Sequence, residues 1–230
     1  MNFMKREFCF LVFLAVCTLS YGQIIVDPGE AVGPVKRMNA VNNGPSVDKP
    51  KGDQVCGNAR DYKAARFPYA RLHDSIDCCP GGAHAVDITA IFPDFDADEN
   101  DPKSYDFAFT DKLLASMAKA KLKPIYRLGV TIENEWYVNA LRIAPPKDFA
   151  KWARICEHII AHYNEGWANG FRWGVKYWEI WNEPDLGTAE DEYRVTSTWG
   201  GTRKQFKEMW KFAQKHLKRR FPDIKLGGPA

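Results

Sequence analysis

The chain has 230 residues, 45% hydrophobic, 13% aromatic and 27% charged, which supplies the large side chains for one sizeable core and excludes a disordered or fibrous class. Its net charge of +3 is scattered, apart from a basic run at 211–220. There Phe212, Ala213 and Leu217 interleave with the lysines as on the solvated face of a helix, so no nucleic-acid partner is implied.

Residues 1–22 differ from the rest. Lys5 and Arg6 precede an apolar run at 8–19, and Ser20 and Gly22 place small side chains before a cut at Gln23. This is the pattern of a secretory signal peptide, too short and wrongly flanked for a membrane span, and it predicts a secreted or periplasmic protein. Lipoprotein processing at Cys17 is the alternative, disfavoured by the bulk of Val16. Residues 23–230 then form one domain. An exported compartment permits a disulfide between Cys56 and either Cys78 or Cys79, whereas Cys156 falls on the apolar face of a helix and reads as a packed thiol.

In chain order, 35–39 is the first expected strand, followed by a turn at 41–45 containing Asn43-Gly44-Pro45. A short helix is expected at 59–66 and a second strand at 69–73, whose period of two puts Arg71 and His73 on one side. A long excursion at 74–107 carries Asp94, Asp96, Asp98, Glu99 and Asp101. It lacks the glycine and closing glutamate of a calcium loop, so no metal is expected there, and its length makes it a candidate cleft wall. A helix at 110–120 buries Leu113, Leu114 and Met117, and 124–128 is the third strand. Glu133, Glu135 and Trp136 follow in a loop. The clearest helix has Phe149, Trp152, Ala153, Cys156, Ile159, Ile160 and Tyr163 at steps of three and four, behind Pro145, Pro146 and Asp148. The fourth strand is 177–181; Trp199 lies in the loop at 185–201. A helix at 204–218 and a fifth strand at 224–227 complete the chain.

Alternating strands and helices fit either a doubly wound sheet or a (β/α)8 barrel. No glycine-rich phosphate loop follows any strand, which removes the nucleotide folds and leaves no cofactor expected. The prediction is an α/β fold, a (β/α)8 TIM-barrel with about its first five strand-helix units, against eight strands in about 250 residues for a whole barrel. The sequence reads as a fragment truncated after strand five.

The chemistry concentrates in YWEIWNEPD at 177–185. Aromatic and β-branched residues make a strand buried on both faces, Pro184 ends it, and Asn182 and Glu183 project at the C-terminal end, where parallel α/β folds bind ligands. A carboxylic acid there can protonate a glycosidic oxygen. Asn182 can hold a sugar hydroxyl, and Trp136, Trp181 and Trp199 offer faces to sugar rings; Trp178 reads as core.

The segments YARLHD, KSYDFAFTDKLL, LKPIYRLGV, YWEIWNEPDL and KLGGPA, taken in order, resemble glycoside hydrolase family 39, which includes β-xylosidases and α-L-iduronidases. The resemblance runs from about Val35 to Ala230. It implies a retaining glycosidase acting on oligosaccharide or polysaccharide, with Glu183 as general acid and base, Asn182 on the sugar 2-hydroxyl, and His73 touching substrate. It places the nucleophile, a glutamate ending strand seven, beyond Ala230, so this chain alone is expected to be inactive. Asp74, where family members commonly have glycine, and the Cys78-Cys79 loop depart from the pattern and bear on the substrate. The alternative is a non-catalytic, secreted carbohydrate-binding relic of the same barrel; a secreted structural or interaction module would leave the Asn182-Glu183 placement unexplained.

Overall fold

The structure, a computed structural model, describes residues 27–30, 33–34, 38–42, 44–45, 49–51, 54–72, 86–130, 143–185 and 198–229. The chain divides into two compact units, Met1–Arg37 and Met38–Ala230. In the first, Asp27 closes a turn by accepting from the backbone N–H of Gly29 through Oδ1, 2.8 Å.

The second unit is built on a five-stranded parallel sheet of β1 (Val41–Asn42), β4 (Tyr69–Arg71), β5 (Lys123–Leu128), β6 (Tyr177–Ile180) and β7 (Lys225–Gly227), paired in that order. A separate antiparallel hairpin joins β2 (Lys49–Lys51) to β3 (Gln54–Cys56). The helices are α1 (Ala59–Ala64), α2 (Ile88–Ile91), α3 (Ala108–Lys119), α4 (Phe149–Asn164) and α5 (Arg203–Arg220). A strand-helix alternation with every sheet pair parallel is the expected barrel order, here through five strands.

The expected strand at 35–39 is displaced. Residues 38–40 have no regular structure, 35–37 lie outside the described residues, and the strand is Val41–Asn42, in register with Ala70 and Arg71. The excursion at 74–107 holds the short helix α2, which buries Ile88 and Ile91.

The sheet has two unlike faces. Ala70, Leu72, Tyr126, Leu128, Trp178 and Ile180 are buried on the side covered by helices. Tyr69, Arg71, Ile125, Tyr177 and Glu179, on the other side, are only half-buried. β6 therefore alternates, and the expectation that it is buried on both faces is corrected: its inner face is polar. Tyr69 and Tyr177 meet edge to face across β5, ring centres 5.5 Å apart, as side chains from alternate strands do inside a barrel.

Helix boundaries follow local chemistry. Asp148 caps α4 by accepting from the backbone N–H of Ala150 and Lys151, at 2.7 and 3.0 Å. Thr202 and Gln205 form a reciprocal capping box on α5, each satisfying an N–H that the helix leaves unpaired. The apolar stripes of α4 and α5 pack against each other, with Trp152, Ile159 and Ile160 on one and Phe206, Met209 and Leu217 on the other among the buried residues. Cys156 is a buried free thiol, as its place on the helix predicts.

The segment at 94–107 docks on α4 through polar contacts. Arg154 donates to Glu99 at 2.7 Å, Lys151 lies 3.5 Å from the same carboxylate, and the Tyr105 hydroxyl donates to the Glu99 carbonyl at 2.8 Å. The His158 ring is 3.2 Å from that hydroxyl and stacks on Trp167. Burial works to raise the Glu99 pKa, but the Arg154 hydrogen bond and the charges of Arg154 and Lys151 outweigh it and hold the carboxyl below its ordinary value. Burial lowers His158. Both shifts have one sign in stability: the unfolded chain takes up these protons more readily than the folded one. Stability is thus complete above the ordinary histidine value and is lost as pH falls, first through the His158 range and then through the carboxylate range, about 6.5 and about 4.3 in unfolded chains. Thermal melts of the full-length protein between about pH 7 and about pH 4 should show this decline. His158→Phe should flatten its upper part, and an unchanged slope in that variant would remove His158 from the account.

Candidate active site

β6 and its flanks build the site. Trp181 continues the sheet by donating its backbone N–H to the Leu128 carbonyl at 2.6 Å, but its φ is +69° and that of Glu183 is +33°. Non-glycine residues in this region cost about 1–3 kcal/mol each and persist only where their surroundings hold them. The holding contacts are present. The buried Trp181 indole donates to the Thr198 carbonyl at 2.8 Å, and the Thr198 hydroxyl donates to the Glu183 carbonyl.

Two glycines admit this turn. A Cβ on Gly129, whose φ is +151°, would stand 2.8 Å from the Trp181 Cα. A Cβ on Gly228, at φ +92°, would stand 2.9 Å from the Ile180 carbonyl oxygen. The strands on either side of β6 can pass this close only because these residues have no side chain.

Asn182 is fully buried, Glu183 half-buried and Asp185 exposed. The Asn182 side-chain oxygen accepts from Arg71 Nη2 at 2.6 Å, while its Nδ2 is buried and, among the described residues, has no hydrogen-bond partner. A guanidinium offers only donors, so the amide must turn its oxygen toward Arg71 and its NH2 group away. Arg71 also donates through Nε to Glu179 at 2.6 Å and points Nη1 at the Asn42 side-chain oxygen, 3.4 Å away. Arg127, in register with Glu179, forms an ion pair with Asp87 at 2.8 Å with both side chains fully buried.

The residues expected at the site fare differently. Asn182 and Glu183 stand together at the strand's C-terminal end. His73 and Trp136 lie outside the described residues, as do Glu133 and Glu135. Trp199 is 2% exposed and stacks edge to face with Trp181 and Phe206, its N–H on the Thr202 carbonyl. The reading of Trp199 as an open sugar platform is therefore corrected: its ring is spent on bracing Trp181, and Trp181 is itself enclosed. Trp178 is core, 1% exposed. Arg71 and Glu179 are site residues that the sequence pattern does not single out. Their only signal is a charge at an inward position of each of two short strands otherwise made of aromatic and aliphatic residues. Among the described residues, no group of His, Cys, Asp or Glu side chains is arranged to hold a metal ion, and no helix is long and apolar enough to cross a membrane.

Comparison with known proteins gives concordant matches. The family model for glycosyl hydrolases family 39 matches residues 66–230. A β-xylosidase of Caldicellulosiruptor saccharolyticus is 25% identical over an alignment of 139 residues that covers 55% of this chain and 25% of that protein. Among solved structures, a glucosidase from Croceicoccus marinus superposes with a TM-score of 0.68 at 27% identity, over 88% of this chain and 38% of that one. A monomeric β-xylosidase from Caulobacter crescentus gives 0.50 at 20% identity, over 87% and 38%, a likeness of fold. The chain thus spans about a quarter of the matched curated relative and 38% of either structure.

Proposed function

The chain belongs to glycosyl hydrolases family 39, and from that membership we propose that the full-length protein is a retaining, β-xylosidase-like glycoside hydrolase in which Glu183 is the general acid and base. The observation that carries the reading is the Asn182-Glu183 pair at the C-terminal end of β6, with the Asn182 oxygen held by Arg71 and its Nδ2 without a partner among the described residues. A buried NH2 group with no acceptor costs free energy that a bound hydroxyl would recover. In this reading Asn182 donates to the sugar 2-hydroxyl, a contact that strengthens in the transition state. Glu183 protonates the departing oxygen, then takes a proton from the water that releases the sugar.

The nucleophile is assigned to no acid of this chain. Glu179, which precedes Glu183 on the strand leading to it, is committed to Arg71, and by the family pattern the role goes to a glutamate ending a seventh strand. Residues 1–22 are read as a secretory leader, which would bring the enzyme to oligosaccharides outside the cytoplasm.

Proton NMR of the full-length protein acting on an aryl β-xyloside tests the reaction. β-Xylose is expected as the first-formed product, followed by slow mutarotation. α-Xylose appearing first would overturn the retaining mechanism. Binding of xylo-oligosaccharide with no turnover would favour the carbohydrate-binding relic instead.

A further inference from the structure

A cleft of about 510 Å³ opens at the end of the sheet opposite Asn182 and Glu183, where β6 and β7 begin, lined by Gly174, Lys176, Pro222, Asp223, Ile224 and Lys225. That volume suits a ligand of a few rings. Trp173, next to Gly174 in the chain, is 38% exposed. Phe171 backs one face of its indole, with ring centres 3.9 Å apart and planes 16° apart, so the exposure belongs to the other face and the edge. The platform is fixed from behind. The Trp173 backbone N–H donates to the Tyr163 carbonyl at 2.9 Å, and Val175 is held at its N–H and its carbonyl by the Asn164 side chain, at 2.6 and 2.9 Å. Across the cleft, Lys218 donates to the carbonyls of Pro222 and Ile224 at 2.5 and 2.8 Å. Walls braced in this way lose little freedom when a ligand settles on them.

The charges narrow the choice of ligand. Lys176 and Lys225 are exposed, and Asp223 is the one acid among the lining residues. Among the described residues neither lysine ammonium has an ion-pair partner. A site for a simple anion has no use for a bare indole, and a face that docks apolar protein would not be lined by three charges. We infer that this cleft is a second sugar-binding site, remote from the reacting end, that takes an oligosaccharide or polysaccharide chain carrying a carboxylate, as a uronic acid unit does. Trp173 stacks on the C–H face of one ring, Lys176 and Lys225 hold the carboxylate, and Asp223 accepts from a hydroxyl. The inference rests on the proposed function for its class of ligand. Its use would be to keep a polymer tethered while its end is cleaved, since a second point of attachment raises the local concentration of the chain.

Titration calorimetry of the full-length protein carrying Glu183→Gln, with a xylo-oligosaccharide bearing one glucuronate branch and with the same oligosaccharide unbranched, tests the site. The branched ligand is expected to bind more tightly. Adding Trp173→Ala should weaken it about tenfold, as truncating a stacked indole at a binding surface does. Adding Lys176→Glu with Lys225→Glu should weaken the branched ligand by a similar factor and the unbranched one by less than about twofold. In the protein that keeps Glu183, neither change should move kcat or KM for nitrophenyl β-xyloside by more than about twofold, because that substrate is too small to reach the cleft. Should Trp173→Ala fail to fold, the exposed lysine pair carries the comparison. Unchanged affinity in both variants would overturn the site, and equal losses on the two oligosaccharides would overturn the carboxylate. Inorganic polyphosphate bound as tightly as the branched sugar would overturn the sugar in favour of a plain anion. The proposed function fails separately, on wild-type turnover that survives Glu183→Gln, whatever the cleft binds.

Discussion

Glu183→Gln in the full-length enzyme should lower kcat by about 100- to 10,000-fold on glycosides with poor leaving groups, the range that a positioned proton donor supplies. Activated aryl glycosides, whose leaving groups depart without protonation, should suffer much less in the first step. The variant should fold, because what holds residue 183 in its left-handed conformation is the Thr198 hydroxyl on its backbone carbonyl, and glutamine keeps that carbonyl. Steady-state kinetics over a leaving-group series, with unchanged circular dichroism, reads the effect. Equal reductions across the series would remove Glu183 from the proton-donor role.

The second large effect concerns stability. Asp87→Ala should destabilise the fold by about 3–5 kcal/mol, the usual cost of removing one partner from a buried ion pair. Both members of the Asp87–Arg127 pair are fully buried, so water cannot replace the missing carboxylate. The damage should spread to the strand exit, because the backbone N–H of Ile88, the next residue, donates to the Gly129 carbonyl at 3.1 Å. Asp87→Leu combined with Arg127→Met should restore most of the stability, since a buried pair is often matched by apolar side chains of similar volume. Denaturant midpoints of the full-length protein decide it; a single-variant cost below about 1 kcal/mol would place the pair among weak, solvated bridges.

The sequence makes some of this readable and hides the rest for physical reasons. α4 and α5 are legible because their apolar residues recur over several turns between strong caps, and β5 and β6 because aromatic and branched residues cluster between turn formers. β1 is hard to place because Asn43-Gly44-Pro45 marks a turn without saying how many residues before it still pair. Asn182 and Glu183 can be placed from strand end and proline alone. The Arg71–Glu179–Asn182 layer cannot, since it forms only when β4 and β6 flank β5, and an arginine in a strand looks the same in sequence whether it faces solvent or the barrel interior. Trp199 shows the converse limit: an aromatic residue near an active site has one composition and two uses, and only its packing on Trp181 and Phe206 separates them.

Gly129 and Gly228 bear on how such a protein could change its preferences. With a Cβ at either position landing 2.8 or 2.9 Å from the backbone at the end of β6, almost any side chain there would push Asn182 and Glu183 out of place before it reached a substrate. On the proposed reading of this pair, a change of sugar preference would have to arise in the connecting loops and not at the strand ends. A library built to redirect specificity should leave both glycines alone and put its diversity where insertions and new side chains do not press on the Asn182-Glu183 pair.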